Sequence, residues 1–201
     1  NIHVVHADVL KLDLSQLIRQ EFSECSRVSI AANLPYYITT PILTRLLEEP
    51  GLGVDNIVVM VQKEVGVRLC AGPGSKNYSS LSVLAAYHSE AQIVCTVPAS
   101  SFVPAPKVES AVVNLKIRSS PAVAPRSEKL FFQTVRAAFG QRRKTLLNAL
   151  AGAPAIGLDK GELRGILQTL GFSDLVRGEQ LSLKEFAALS DQIGEYRESG
   201  Q

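Results

Sequence analysis

A charge-free run that ends on an amide, a proline and two aromatics constrains this chain more than any other stretch. Val28-Ser29-Ile30-Ala31-Ala32 leads directly into Asn33-Leu34-Pro35-Tyr36-Tyr37. A short apolar run without charge predicts a strand over 28–32, buried on both faces of a parallel sheet. Pro35 fixes its own φ and pushes Leu34 out of the helical region, so 33–36 is expected to form a stiff loop at the carboxyl end of that strand. Open α/β sheets hold their ligands at such ends.

The loop brings three chemical tools together. Asn33 offers a side-chain carbonyl that accepts from an amino group, the proline turn aims the Leu34 carbonyl the same way, and Tyr36 offers a flat face on which a base can stack. Two acceptors on one exocyclic NH2 hold its hydrogens and leave the nitrogen lone pair free. An adenine N6 held in this way becomes a nucleophile without a charged general base. Taken alone, the same four residues also read as a mere turn before a helix.

Further stretches narrow the choice. Asn33-Leu34-Pro35-Tyr36 followed by 37–43, Gln62-Lys63-Glu64-Val65 with Arg68 and 71–76, Phe102-Val103-Pro104-Ala105-Pro106-Lys107 running on to Ala111, and Phe139-Gly140-Gln141-Arg142-Arg143-Lys144 occur in that order. Together they resemble the ribosomal RNA adenine dimethyltransferases, over residues 3 to about 190. The resemblance implies the C-terminal part of a Rossmann-like class I methyltransferase sheet followed by a small all-α domain. It implies S-adenosyl-L-methionine as methyl donor, adenosine N6 of small-subunit rRNA as acceptor, and the immature small ribosomal subunit as partner. Asn33, Leu34, Pro35, Tyr36 and Phe102 then form the catalytic set, with Phe102 as a second wall of the base pocket opposite Tyr36. Asp8 and Asn33 contact the donor, and the end of the strand at Gln62-Lys63-Glu64 belongs to the site wall. Lys107, Arg142, Arg143 and Lys144 meet RNA phosphates. Two alternatives remain at this point: a DNA adenine-N6 methyltransferase, and a non-catalytic RNA-binding ribosome-assembly factor.

One part of the pattern is absent. A doubly wound methyltransferase first presents a glycine-rich strand-to-helix turn; none of the 14 glycines forms GxGxG ahead of Asn33. The sequence opens on 1–8 in what reads as a strand, ended by Asp8. That residue is the counterpart of the family's acidic donor ligand, or simply an Asx-turn residue closing the strand. At ~30 residues per βαβ unit, about two units are missing. The expectation is therefore the C-terminal portion of a longer protein, inactive on its own because its donor site is incomplete.

Composition excludes several classes. No apolar run approaches the ~20 residues of a membrane span, and Cys25, Cys70 and Cys95 show neither CxxC spacing nor an even count, so neither a zinc site nor a disulfide framework is expected. A monomer without metal, in the cytoplasm or an organelle interior, fits best. The net charge of +2 is small, but Arg136, Arg142, Arg143 and Lys144 lie within nine residues, and a phosphate backbone is met by such clusters.

Periodicity fills in the rest. A short amphipathic helix is expected from Leu10 to near Glu24, and another from Pro41 along Ile42, Leu43, Leu46 and Leu47 to a stop at Pro50-Gly51. A strand over 54–61, a helix over 78–87 with His88 as a surface or capping residue, and two strands over 93–97 and 111–117 complete a domain spanning 1–118. Residues 119–126 read as a linker and 127–201 as a helical domain, with helices near 127–139, 142–151, 159–170 and 182–193. That domain is expected to be too small for a large core of its own.

Overall fold

Strands without charge must find both hydrogen-bonding neighbours and an apolar cover, and two such runs meet here. In the computed structural model, which describes residues 2–49 and 51–199, β1 (Ser29–Asn33) pairs in parallel with β2 (Asn56–Gln62), placing Ile30 opposite Ile57 and Asn33 opposite Met60. β3 (Ser89–Val97) and β4 (Ser110–Ile117) form an antiparallel hairpin, and β4 also runs antiparallel to β2. The sheet order is β1-β2-β4-β3. Side chains alternate across the pleat, so Ile57, Val59 and Val61 of β2 share one fully buried face with Ala111, Val113 and Leu115 of β4.

Helices follow the strands. α1 (Leu14–Glu21) precedes β1, and α2 (Thr39–Glu48) carries the chain from β1 to β2 with Ile42, Leu43, Leu46 and Leu47 buried. α3 (Lys63–Leu69) leaves the end of β2 and approaches β4 closely enough that a Cβ on Gly66 would stand 3.1 Å from the Ala111 Cβ and 3.2 Å from a Val113 methyl. Glycine at 66 is what lets this helix lie down on the sheet.

The chain divides into two compact units, Asn1–Cys70 with His88–Ser120, and Ala71–Tyr87 with Pro121–Gln201. The second unit holds α4 (Ser80–His88, its last residue in the first unit), α5 (Glu128–Gly140), α6 (Leu146–Ala151), α7 (Lys160–Thr169) and α8 (Leu183–Ser199). Residues 71–87, which the sequence reading grouped with the sheet, pack with the helices that follow the linker. The reason is aromatic: the Tyr87 ring lies 5.2 Å from Phe131 and 5.0 Å from Phe132, and Tyr78 meets Phe139 edge-on at 5.6 Å. With these rings supplied, the helical unit has a substantial core of its own, in which Phe131, Leu146, Leu150, Leu163, Leu167 and Phe186 are fully buried. Side-chain caps begin three of its helices: Ser127 for α5, Asp159 with Glu162 as a capping box for α7, and Ser182 with Glu185 ahead of α8. Gly171, at φ +75°, ends α7.

Several sequence expectations are corrected. Residues 2–7 form no strand, and Ile2 and Val4 are 87% and 81% exposed; a strand exists only through a ladder, and these residues pair with none of the four described strands. β1 is not buried on both faces: its residues alternate between exposed and half-buried, and β2 is its one neighbour among the described strands. The first helix starts at Leu14 rather than Leu10, since Asp13 caps it by accepting from Gln16 N at 2.8 Å, while the Arg45 guanidinium donates to the Leu10 and Leu12 carbonyls ahead of it. β3 begins four residues before Ile93, with a bulge between Ile93 and Cys95. His88 is half-buried rather than at the surface. Pro50, half of the expected helix stop, lies outside the described residues; its neighbour Gly51 has φ +66°.

Candidate functional site

Leu34 extends the parallel ladder by one bond, its N–H donating to Met60 O at 3.1 Å, and its side chain is buried. Pro35 then turns the chain with φ −60° and ψ 128° into a single 3₁₀ turn, Tyr36–Ile38. The Pro35 carbonyl is doubly used, accepting from Ile38 N at 3.2 Å and from the Thr39 hydroxyl at 3.0 Å. The Leu34 carbonyl accepts from no donor among the described residues, and the exposed Asn33 side chain likewise has no partner there. Both acceptors therefore remain unspent, at consecutive positions, at the carboxyl end of β1.

The Tyr36 ring is oriented from a distance. Its hydroxyl and the Ser110 hydroxyl lie 2.7 Å apart, and Ser110, fully buried at the start of β4, stands opposite both Gln62 and Val97 in the sheet. A serine at the head of an apolar strand carries no recognisable signal of this role, although Ser110 falls within the motif that Phe102 opens.

The proline-rich connection between β3 and β4 lines the same cleft as Tyr36. After the 3₁₀ turn Ala99–Ser101, the Phe102 N–H donates to Ala99 O at 3.2 Å and the chain extends through a cis Val103-Pro104 bond. Phe102 is half-buried, neither lost in the core nor freely solvated. Asn33, Leu34, Pro35, Tyr36, Phe102, Pro104 and Pro106 line one open cleft of about 310 Å³. That is near the lower bound of ligand sites, room for one planar ring system, and the lining includes both aromatics and the two residues whose acceptors are unspent.

The other sequence candidates lie elsewhere. Lys107 is exposed and does not line the cleft. Lys63 is paired with Glu109 at 2.7 Å and Glu64 with Arg68 at 2.7 Å, so the charges that follow β2 are committed to one another and form no part of the lining. Asp8 forms an Asx turn: its Oδ1 accepts from Leu10 N at 3.0 Å, with Lys11 3.9 Å from the other oxygen. Arg142, Arg143 and Lys144 belong to the other unit, where they occupy the exposed turn between α5 and α6 instead of opening a helix. A carboxylate closing an exposed turn and a single asparagine do not enclose a donor such as S-adenosyl-L-methionine, and no GxGxG cradle accompanies them in this sequence. No group of three or more His, Cys, Asp or Glu that would hold a metal occurs among the described residues.

Comparison with known proteins agrees with the geometry. The family model described as ribosomal RNA adenine dimethylase matches residues 1–185. Ribosomal RNA small subunit methyltransferase A of Bacillus pumilus is 48% identical over 192 residues, covering 95% of this chain and 65% of the relative. The protein of the same name from Geobacillus thermodenitrificans is 48% identical over 194 residues, covering 96% and 66%. The chain thus spans just under two thirds of these relatives' length. Among solved structures, a dimethyladenosine transferase from Plasmodium falciparum superposes with TM-score 0.71 at 26% identity, over 86% of this chain and 67% of that one. The 23S rRNA methyltransferase ErmE shares the fold, with TM-score 0.58 at 18% identity, over 92% and 80%.

Proposed function

Because the chain belongs to the ribosomal RNA adenine dimethylase family, we propose that it serves methyl transfer from S-adenosyl-L-methionine to N6 of adenosines in small-subunit rRNA, in the cytoplasm. The observation that carries this reading is the pair of unspent acceptors, the Asn33 amide oxygen and the Leu34 carbonyl, beside a cleft walled by Tyr36 and Phe102. An adenine turned out of its stack slides between the two rings. Its amino hydrogens point to the two acceptors, which fixes the orientation of the N6 lone pair and keeps water from it. Pro35 takes no part in hydrogen bonding to the base; it holds the Leu34 carbonyl in the required direction. The sulfonium donor supplies an already activated methyl group, so what remains for the protein is positioning and desolvation.

Asp8 and Asn33 are the residues of this chain that would meet the donor, and they do not complete its site. Lys107 and the basic turn at 142–144 are assigned to phosphate contacts. The relatives' names favour rRNA over duplex DNA as substrate. A non-catalytic assembly factor would use the same basic turn but would have no need of two unspent acceptors beside an aromatic cleft.

Asn33→Ala is the direct test, read in a protein in which a glycine-rich segment ahead of residue 1 completes the donor site. Losing one acceptor misplaces N6 by a fraction of an ångström and is expected to lower the transfer rate by about 10²-fold, while affinity for small-subunit rRNA changes less than twofold. Equal losses in rate and affinity would show that Asn33 merely supports the fold. Phe102→Ala removes a stacking wall worth ~1–3 kcal/mol and is expected to raise KM instead.

A further inference from the structure

At about 310 Å³ the cleft takes a single adenine, so the nucleotides on either side of an extruded adenosine stay outside it. Extrusion strips one face of each neighbouring base of its stacking partner, and that loss is part of what taking a base out of its stack costs. A side chain beside the cleft that offers a flat face restores it.

Tyr37 is such a side chain. The 3₁₀ turn Tyr36–Ile38 has three residues per turn, so its consecutive side chains diverge by about 120°. Tyr36 lines the cleft and reaches Ser110, Ile38 is half-buried, and Tyr37 is left in water at 86% exposure. Its side chain makes no hydrogen bond or ring contact among the described residues. The backbone beneath it is fixed all the same, because the Pro35 carbonyl accepts from both Ile38 N and the hydroxyl of buried Thr39. A tyrosine on a fixed backbone has only two side-chain torsions to settle, so it binds at low entropic cost.

The second lining segment is bare in the same way, with Val103 fully exposed between Phe102 and Pro104. Isolated apolar side chains on a surface need no explanation; two left bare on the two segments that line one cleft mark a rim that is covered when the cleft is filled. Charge says by what. No charged residue occurs in 28–44 or in 91–106, so this rim suits the face of a base and offers nothing to a phosphate.

We propose that Tyr37 is the stacking platform for the nucleobase adjoining the target adenosine, taking the place in the stack that the extruded adenine leaves. The inference rests on the rRNA adenosine reading above and adds a specificity to it: a purine, with its larger face, is favoured over a pyrimidine beside the target.

The test is fluorescence titration of the 201-residue chain with single-stranded RNA pentamers of uridine that carry a central adenosine and 2-aminopurine on its 5′ or its 3′ side. The parent is expected to quench the 2-aminopurine on one of the two sides, as stacking on a tyrosine does. Tyr37→Ala abolishes that quenching and weakens binding about tenfold, the ordinary worth of one base stacked on an aromatic ring. Tyr37→Phe keeps the flat face and stays within twofold of the parent in affinity. Uridine in place of 2-aminopurine weakens the parent and leaves Tyr37→Ala as it was, and with an abasic neighbour the two proteins bind alike. Because Tyr37 is bare, the urea midpoint of Tyr37→Ala matches the parent's. The proposal is overturned if Tyr37→Ala keeps parental affinity and quenching, if Tyr37→Phe behaves as Tyr37→Ala does, or if the loss in Tyr37→Ala persists beside an abasic neighbour. An abasic site in place of the central adenosine tells the two readings apart. If that change costs the parent no affinity, the base pocket fails and the platform with it; if it costs affinity while Tyr37→Ala costs none, the platform alone fails.

Discussion

A phenol hydroxyl that reaches a buried serine 74 residues away settles which way the Tyr36 ring faces. Ser110→Ala is therefore expected to cost ~1 kcal/mol of stability, the ordinary net worth of one such bond, and to cost adenosine binding by freeing the ring. Tyr36→Phe keeps the flat face and loses the same bond, so the double variant is expected to be no less stable than the worse single one. Urea midpoints of the four proteins measure this; strict additivity would mean the two hydroxyls contribute independently. The contact also marks where sequence reasoning ends. The loop 33–36 was legible because Pro35 acts on its immediate neighbours, and Phe102 entered through the motif that it opens. The bond that aims Tyr36 joins two strands and leaves no local pattern. At Asp8 the bland alternative describes the geometry, since an Asx turn needs only the next two residues to form.

Among the elements, those whose apolar residues repeat every three or four positions stand near where periodicity put them, as α2, α5 and α7 do, while α8 starts where expected and runs on to Ser199. Errors gather where the decision is tertiary. An apolar opening segment joins no ladder among the described strands, the edge strand β3 runs past its apolar residues, and Arg142 leaves the helical pattern because its guanidinium is anchored on another segment. The junction just ahead of α4 carries its own prediction. Tyr78 is 2% exposed, and burial first, then the Glu185 carboxylate, pushes its phenol up to about 12. The unfolded chain loses this proton near pH 10 and the folded one near pH 12, so the unfolded state binds fewer protons between them. Stability is then complete below pH 10 and falls as pH rises toward 12, by up to about 2 kcal/mol. Urea titrations at pH 9 and pH 11.5 are expected to show this drop in the parent and a smaller one in Tyr78→Phe. An equal drop in both proteins would assign the alkaline loss to other groups.

At the scale of the whole molecule, the chain enters its helical unit twice, first for residues 71–87 and again from residue 121 onward. A linker composition at 119–126 was readable, yet the earlier visit was not, because α4 carries apolar residues on all sides and its sequence does not say which core it joins. The consequence is that 121–201 is an incomplete folding unit. Without 71–87 it loses Tyr78, Leu81, Leu84 and Tyr87, each at most 6% exposed in the intact chain, and each side chain of this kind is worth ~1.5–3 kcal/mol when buried. Their sum rivals the 5–15 kcal/mol by which whole domains are stable. Tyr87 O accepts from Ala122 N at 3.0 Å, so the two visits end and begin side by side. A chain of 71–87 joined by a short glycine linker to 121–201 should therefore fold cooperatively, with a single urea transition and dispersed near-ultraviolet signals from its tyrosines. Residues 121–201 alone are expected to keep helical far-ultraviolet signal while binding hydrophobic dye and unfolding over a broad range. If 121–201 alone matches the joined chain in midpoint and cooperativity, the aromatic contacts made by Tyr78 and Tyr87 are ornament on a core that closes without them.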